Sequence, residues 1–231
     1  MGICSLANKP DKSAERREQV TILLWVLAYL SGACMFSFWI GKWLNRDIRK
    51  IGDGNPGAAN LWKAAGYRFG LIGIFMDFLK GYLPVVAIIK YYNPADLSFV
   101  LICLAPILGH AYSPFLHFKG GKALAVSFGV WAGLSQFFLA FVYAVILAIL
   151  KLFMVLKKRS FSATTEEDGF FTCFGMFIFV IYLYTQQYPQ ELIWLGIGNL
   201  LIVTWKNRRE LRKYHKKIMA SSPKWVKKRF L

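Results

Sequence analysis

Acidic residues are scarce in this chain: 12 Asp and Glu stand against 29 Lys and Arg in 231 residues, a formal net charge of +17. The constellations that mark many hydrolases and metalloenzymes are missing too. There is no G-x-S-x-G, no H-E-x-x-H and no carboxylate pair suited to two metal ions, which excludes nucleophile-elbow, zincin and two-metal chemistry. The four cysteines, Cys4, Cys34, Cys103 and Cys173, show no C-x-x-C spacing, and three fall in apolar stretches expected to be helical. They read as small core residues and not as ligands or disulfides. Neither a metal nor a cofactor is expected. Absent as well is any stretch between the apolar segments long enough to fold by itself, so 1–231 reads as a single membrane domain.

Apolar residues, by contrast, are abundant. The chain is 56% hydrophobic and 17% aromatic, with a mean hydropathy of +0.41. Apolar stretches at 20–40, 71–89, 97–116, 123–150, 170–184 and 192–205 approach or exceed the roughly 20 residues that a spanning helix needs. The stretch 123–150 carries no charge and is too long for one ordinary span. Splitting it near Gly133-Leu134-Ser135-Gln136 gives two short helices and seven in total. With the N-terminus outside, that division leaves 23 Lys and Arg inside and five outside, with Lys80 within a helix; six helices divide the loops 20 to 8. The expected class is therefore all-α: a polytopic membrane protein of seven transmembrane helices, N-terminus outside and C-terminus cytoplasmic.

Within this frame, residues 1–19 form a loose tail, 20–207 a helical bundle, and 208–231 a basic tail that lies against anionic membrane lipids. The positive charge needs no nucleic-acid partner, since no base-reading framework accompanies it. Met1-Gly2-Ile3-Cys4-Ser5-Leu6 falls short of a myristoylation start because Leu6 stands where Ser or Thr is wanted. The first apolar segment has a polar leader and no small-residue cleavage site, and so reads as an anchor. The first helix is expected to end near Trp43, a loop to run over 45–60, and the second helix over about 66–89. Tyr91-Tyr92-Asn93-Pro94 and Tyr188-Pro189 make outer turns, 157–168 is a polar inner loop, and Pro106 and Pro114 loosen the third helix.

Three polar constellations interrupt the apolar pattern. The first is Gly52-Asp53-Gly54-Asn55-Pro56-Gly57-Ala58-Ala59-Asn60. Its glycines match G-x-G-x-x-G, but a dinucleotide fingerprint needs a preceding strand, and here a membrane helix precedes it. Successive backbone N–H groups in such a turn can form an anion-binding nest, and the same residues also suit an ordinary turn. The second is Asp77 and Lys80, three residues apart on one face of an apolar helix. Ionisable groups inside a span face a bundle interior or wet cavity, as a functional pair or as a structural ion pair. The third is Gly109-His110 followed by Phe118-Lys119-Gly120-Gly121-Lys122 at the mouth of the next helix. Glycines between cations beside free helix N–H groups suit a phosphate at the bilayer surface. This is no Walker loop, since the first glycine is missing and Ala123 replaces Ser/Thr. His110 suits either acid–base work or a helix-end hydrogen bond, and His117 more readily the latter. Neither His110 nor His117 is followed five positions later by Asp, as the soluble type of glycerolipid acyltransferase requires; Phe115 and Lys122 stand there.

Taken together and in this order, Gly52-x-Gly-Asn-x-Gly-Ala-x-Asn60, Asp77-Phe-Leu-Lys80-Gly81 and Gly109-His110…Phe118-Lys119-Gly120-Gly121-Lys122 resemble the bacterial acyl-phosphate:glycerol-3-phosphate acyltransferases of the PlsY type. The resemblance is good over about 29–130 and rests elsewhere on helix number and the basic end. It implies a seven-helix enzyme of the bacterial plasma (inner) membrane with its motifs on the cytoplasmic side. Such an enzyme moves a fatty acyl group from acyl phosphate to the sn-1 hydroxyl of glycerol 3-phosphate, giving lysophosphatidic acid. Acyl phosphate is already activated, so alignment and charge stabilisation suffice without a metal or covalent nucleophile. Under this resemblance Gly52, Gly54, Asn55, Gly57, Asn60, Lys63, Gly120, Gly121 and Lys122 hold phosphates. Lys80 and Lys119 stabilise developing charge, and His110 orients groups or relays a proton; Asp53, which the resemblance does not supply, is a candidate general base or the sign of a somewhat different acceptor. The chain departs from the family's pattern at several positions. Asp53 stands in place of Ser, Ala59 of Thr, Lys63 of Arg, and Ala33-Cys34-Met35 of Ser-Ile-Pro. Asn207-Arg208-Arg209-Glu210-Leu211 echoes Asn-Ile-x-Arg-Leu only loosely. Two other readings remain open from the residues: a transporter or flippase for a phosphorylated solute or lipid, and an inactive relative acting as a membrane scaffold.

Overall fold

The computed structural model describes residues 12–91, 97–158 and 164–221. Expectations for Cys4 and the rest of the first eleven residues, the turn at Tyr92-Asn93-Pro94, residues 159–163 of the inner loop and the tail beyond residue 221 lie outside these. The described chain runs α1 (Lys12–Ala33), α2 (Phe36–Trp43), α3 (Ala58–Ala65), α4 (Tyr67–Tyr91), α5 (Leu97–Ala111), α6 (Leu124–Ser135), α7 (Phe138–Lys158), α8 (Thr165–Thr185), α9 (Gln190–Lys206) and α10 (Arg208–Ser221). Short 3-10 turns at Ile48–Lys50 and Pro114–Leu116 shape the connections.

Among the described residues five segments are long and apolar enough to cross a membrane: Glu15–Trp43, Tyr67–Lys90, Leu97–Leu116, Phe138–Lys157 and Thr165–Thr185. Seven are expected from the sequence. The two that fall short are α6, with 12 residues, and α9, with 17. At 1.5 Å per residue α6 reaches only about 18 Å, against roughly 30 Å of hydrocarbon. α6 lies instead at the centre of the bundle. Val126, Val130 and Trp131 are fully buried, the Trp131 ring meets Phe179 edge-on at 4.9 Å, and Phe128 stacks on Tyr143 at 4.9 Å. The split between α6 and α7 is made by Gln136 and Phe137 with φ of 48° and 72°, and Ser135 Oγ accepts the Leu139 N–H at 2.8 Å to start α7. Phe141, Ile149, Leu152, Phe153 and Leu156 leave α7 with an exposed apolar wall suited to lipid.

The helices that carry the motifs are brought close by missing side chains. A Cβ at Gly81 or Gly129 would fall on the carbonyl of Val126 or Phe78, so α4 and α6 touch backbone to backbone. Gly32 and Gly109 do the same for α1 and α5.

The first membrane segment ends at Trp43 as expected, but it is not one continuous helix. It breaks at Cys34-Met35, and Cys34 lies in the break, not within a helix. A break inside apolar surroundings strands backbone carbonyls, which must find donors within the protein. Here Ser113 Oγ donates to Ala33 O at 2.7 Å and Lys80 Nζ to Cys34 O at 2.5 Å. The 45–60 loop is likewise shorter than expected, because α3 starts at Ala58 and takes Asn60 into its first turn.

Candidate active site

A cavity of about 1040 Å³ opens where the loop before α3 meets the starts of α6 and α8. One wall is polar: Asp53, Asn55, Gly57, Asn60 and Lys63 from the first motif, and Lys122 and Ala123 from the third. Leu71, Ile74, Phe75 and Phe78 of α4, with Leu124 and Phe128 of α6, form an apolar wall beside it. Thr165, Asp168, Gly169 and Thr172 of α8 and Asn207 complete the enclosure.

The first motif folds around Asp53. Gly52 and Gly54 adopt φ of 60° and 75°, a left-handed backbone that glycine adopts without strain. This turns Asp53 inward, where its Oδ1 accepts Asn60 Nδ2 at 2.9 Å and the Asn55 N–H at 3.1 Å. Its Oδ2 lies 2.6 Å from Lys122 Nζ, and that ammonium also reaches Glu210 at 3.1 Å. Burial pushes the Asp53 carboxyl up, but the hydrogen bond and charge of Lys122, with help from Asn55 and Asn60, outweigh it and hold the acid below its usual range. Two helix N-termini face the same space. α3 begins after Gly57 and α6 after Ala123, and neither has a side-chain cap. Their first N–H groups therefore lack the usual side-chain acceptor.

Beneath the polar wall lies a buried ionic cluster. Asp77 pairs with Lys80 at 2.8 Å and accepts Ser37 Oγ at 3.2 Å, and Nδ1 of His110 stands 3.8 Å from Asp77 Oδ1. Asp77 and His110 line the cavity; Lys80 does not, since its ammonium is turned to Asp77 and the Cys34 carbonyl. The chain from His110 to Lys122 doubles back on itself. Gly121 N–H donates to His110 O at 2.9 Å, and a Cβ at Gly121 would collide with His110 Nε2. Glycine is thus required at 121 so that the imidazole can sit against the backbone.

The family model described as glycerol-3-phosphate acyltransferase matches residues 22–217. Glycerol-3-phosphate acyltransferase 1 of Thermotoga maritima is 37% identical over 201 residues, covering 85% of this chain and 98% of its own. The glycerol-3-phosphate acyltransferase of Aquifex aeolicus is 30% identical over 192 residues, 83% of this chain and 94% of its own. The chain belongs to the glycerol-3-phosphate acyltransferase family. Two crystal structures of PlsY, an integral membrane glycerol 3-phosphate acyltransferase, superpose with TM-scores of 0.72 and 0.71 at 27% and 26% identity. One is the glycerol 3-phosphate form and the other the lysophosphatidic acid form, and each match covers 86% of this chain and 93% of theirs. This member of the family is accordingly an acyltransferase built on an integral membrane fold.

Of the residues singled out in the sequence of this acyltransferase, Asp53, Asn55, Gly57, Asn60, Lys63, His110 and Lys122 meet at the cavity. Gly52, Gly54, Lys80, Lys119, Gly120 and Gly121 do not line it. Gly52 and Gly54 shape the turn, Gly120 and Gly121 let the third motif cross His110, and Lys80 neutralises Asp77. Lys119 is exposed. Sequence reasoning passed over Glu210, Asp168 and the threonines of α8. A single carboxylate among Arg208, Arg209, Arg212 and Lys213 was the available signal for Glu210.

Proposed function

We propose that this enzyme transfers a fatty acyl group from acyl phosphate to the sn-1 hydroxyl of glycerol 3-phosphate, releasing phosphate and lysophosphatidic acid. The observation that carries the reading is the union, in one cavity, of a polar wall bearing Lys63 and Lys122 and an apolar wall. Both substrates bear phosphate, and the polar wall offers Lys63, Lys122 and two uncapped helix starts. The acyl chain lies along Leu71, Phe75, Phe78 and Phe128. Asp53, held ionised beside Lys122, takes the proton of the acceptor hydroxyl as it attacks the acyl carbon, and the departing phosphate carries away the C–O bonding pair. Lys122 and the first N–H groups of α6 offset the charge that develops on the carbonyl and leaving phosphate. His110 orients the reacting groups, and Asp77 with Lys80 supports His110 from below. Gly57, Asn55 and Asn60 present the first motif's backbone to the acceptor phosphate.

The same reading extends to topology. α6 and α9 join the five longer segments as the sixth and seventh membrane helices, α6 shielded from lipid by its neighbours. The N-terminus faces outward and the motifs face the cytoplasm of a bacterial plasma membrane. Purified protein in lipid, given labelled glycerol 3-phosphate with palmitoyl phosphate, palmitoyl-CoA or palmitoyl-ACP, tests the chemistry. Lysophosphatidic acid forms from acyl phosphate alone and is lost in Lys122→Ala. Product from palmitoyl-CoA instead, or full activity in folded Lys122→Ala, would refute it.

A further inference from the structure

We propose that the junction of α9 and α10 is a clamp on the active-site loop, with Lys206 and Glu210 as its positioning residues; the consequence for rate rests on the reading above. The loop from His110 to Lys122 is pinched at its base, where both legs run side by side. Lys206, the last residue of α9, sends its ammonium into that pinch. Nζ donates to Ala111 O on the outgoing leg at 2.7 Å and to Gly120 O on the returning leg at 3.0 Å. It also stands 5.2 Å from the centre of the Tyr112 ring. One cation thus ties together two strands of chain and anchors both to a third helix.

The tie matters because of what sits on each side of it. Immediately before Ala111 is His110, whose carbonyl holds the Gly121 N–H at 2.9 Å. Just after Gly120 come Gly121, packed on the imidazole, and Lys122. Four residues beyond Lys206, on the first turn of α10, Glu210 takes Lys122 Nζ at 3.1 Å opposite Asp53. Glu210 is itself buried, and a Cβ at Gly169 of α8 would stand 2.8 Å from its Cβ, so its own position is set by packing. The clamp therefore fixes His110 through the loop base and Lys122 through its side chain, from one rigid junction. An ammonium suits the work because it offers several donors to converging carbonyls, while a neutral stem of equal length leaves both acceptors without it.

Two measurements on the full-length protein in lipid test this. Hydrogen exchange over residues 111–122 reads the clamp without reference to activity. Lys206→Met accelerates exchange at the Gly121 amide about 100-fold, and Lys206→Arg, which keeps charged donors, restores protection to within about tenfold. Should the methionine variant not fold, Lys206→Gln takes its place. Unchanged exchange in Lys206→Met or Lys206→Gln overturns the proposal, whether or not the wild type makes lysophosphatidic acid. Kinetics then read the consequence. A misplacement near 1 Å costs on the order of 100-fold in rate, so Lys206→Met loses about that factor in kcat per folded molecule, while KM for the acyl donor changes less than about threefold. Glu210→Gln shows the same kcat-weighted loss with the loop still protected. A variant that melts earlier yet keeps wild-type kcat per folded molecule would reduce Lys206 to ordinary structural support and overturn the positioning role. Wild type that forms no product under these conditions sinks the proposed reaction, and the exchange result still decides the clamp.

Discussion

Replacing Gly121 by Ala would put a methyl group where the His110 imidazole already lies. The added carbon overlaps Nε2 and comes within 3.0 and 3.1 Å of Cδ2 and Cε1. His110 also borders the cavity, so its ring can yield by swinging into open space. The stability cost should then sit at the low end of overpacking, about 1 kcal/mol of the usual 1–3. For a chain of this size that lowers the melting temperature by about 2–4 °C. Gly120 is a sharper case. A Cβ there overlaps the carbonyl of His110, with Ala111 C and O at 2.9 Å, and backbone cannot step aside. Gly120→Ala should cost about 3 kcal/mol or more, or at least about 6 °C. Differential scanning fluorimetry in detergent ranks the two, and a cycle with His110→Ala isolates the cause. The His110→Ala/Gly121→Ala double variant should recover most of the loss, with a coupling of about 0.5–1.5 kcal/mol. Additivity within about 0.3–0.5 kcal/mol, together with equal costs at 120 and 121, would refute the packing argument and return both glycines to phosphate approach.

Lys80→Met leaves Asp77 buried without its cation and should cost about 3–5 kcal/mol, whereas Asp77→Asn/Lys80→Met should recover much of it; chemical denaturation in detergent compares them. Asp53 has a lowered pKa in the folded state, so its contribution to stability is complete above the unfolded carboxylate value near about 4 and is lost as pH falls through the folded value. Melting of wild type from pH 7 to pH 3 should therefore show an acid-side loss that Asp53→Asn lacks, and parallel curves would contradict the ion pair. Lys119 is exposed and off the cavity, so Lys119→Ala should change stability by less than about 0.5 kcal/mol and retain most activity. A loss equal to that of Lys122→Ala would put Lys119 back among the substrate-binding groups.

How much of this was legible depends on the range of each signal. The helices were readable because apolar runs are local, and so was the pairing of Asp77 with Lys80, three residues apart in one helix. Convergence of Asp53, His110 and Lys122 followed only from motif order and resemblance, since nothing local links residues 53 and 122. The break at Cys34-Met35 was invisible: 33–35 contains neither glycine nor proline, and the carbonyls it exposes are satisfied by Ser113 and Lys80, which are distant in sequence. The short α6 was readable from the split of 123–150, but its place at the centre of the bundle was not, for a related reason. Hydropathy reports that a segment avoids water, and it does not distinguish burial in lipid from burial in protein. Glu210 escaped because a charge in a basic run ordinarily signals a solvated face.

The departures from the family pattern bear on one another in space. Asp53 replaces a serine in the first motif, and Glu210 stands where the last motif echoes an arginine, so this chain carries two added carboxylates. The structure brings both to the same ammonium, Lys122, at 2.6 and 3.1 Å. A phosphate that approaches Lys122 must compete with two anions already in place. Among the described residues no carboxylate lies within ion-pairing distance of Lys63, which belongs to the last turn of α3 and lines the cavity. Under the proposed reaction the acceptor phosphate is therefore better matched to Lys63 and the α3 N–H groups, with Lys122 holding Asp53 ionised and aimed at the hydroxyl. Lys63→Met should then raise KM for glycerol 3-phosphate at least tenfold with little change in kcat, and Lys122→Met should act chiefly on kcat. The opposite pattern, with kcat falling in Lys63→Met and KM rising in Lys122→Met, would show that the two carboxylates give up Lys122 when substrate binds.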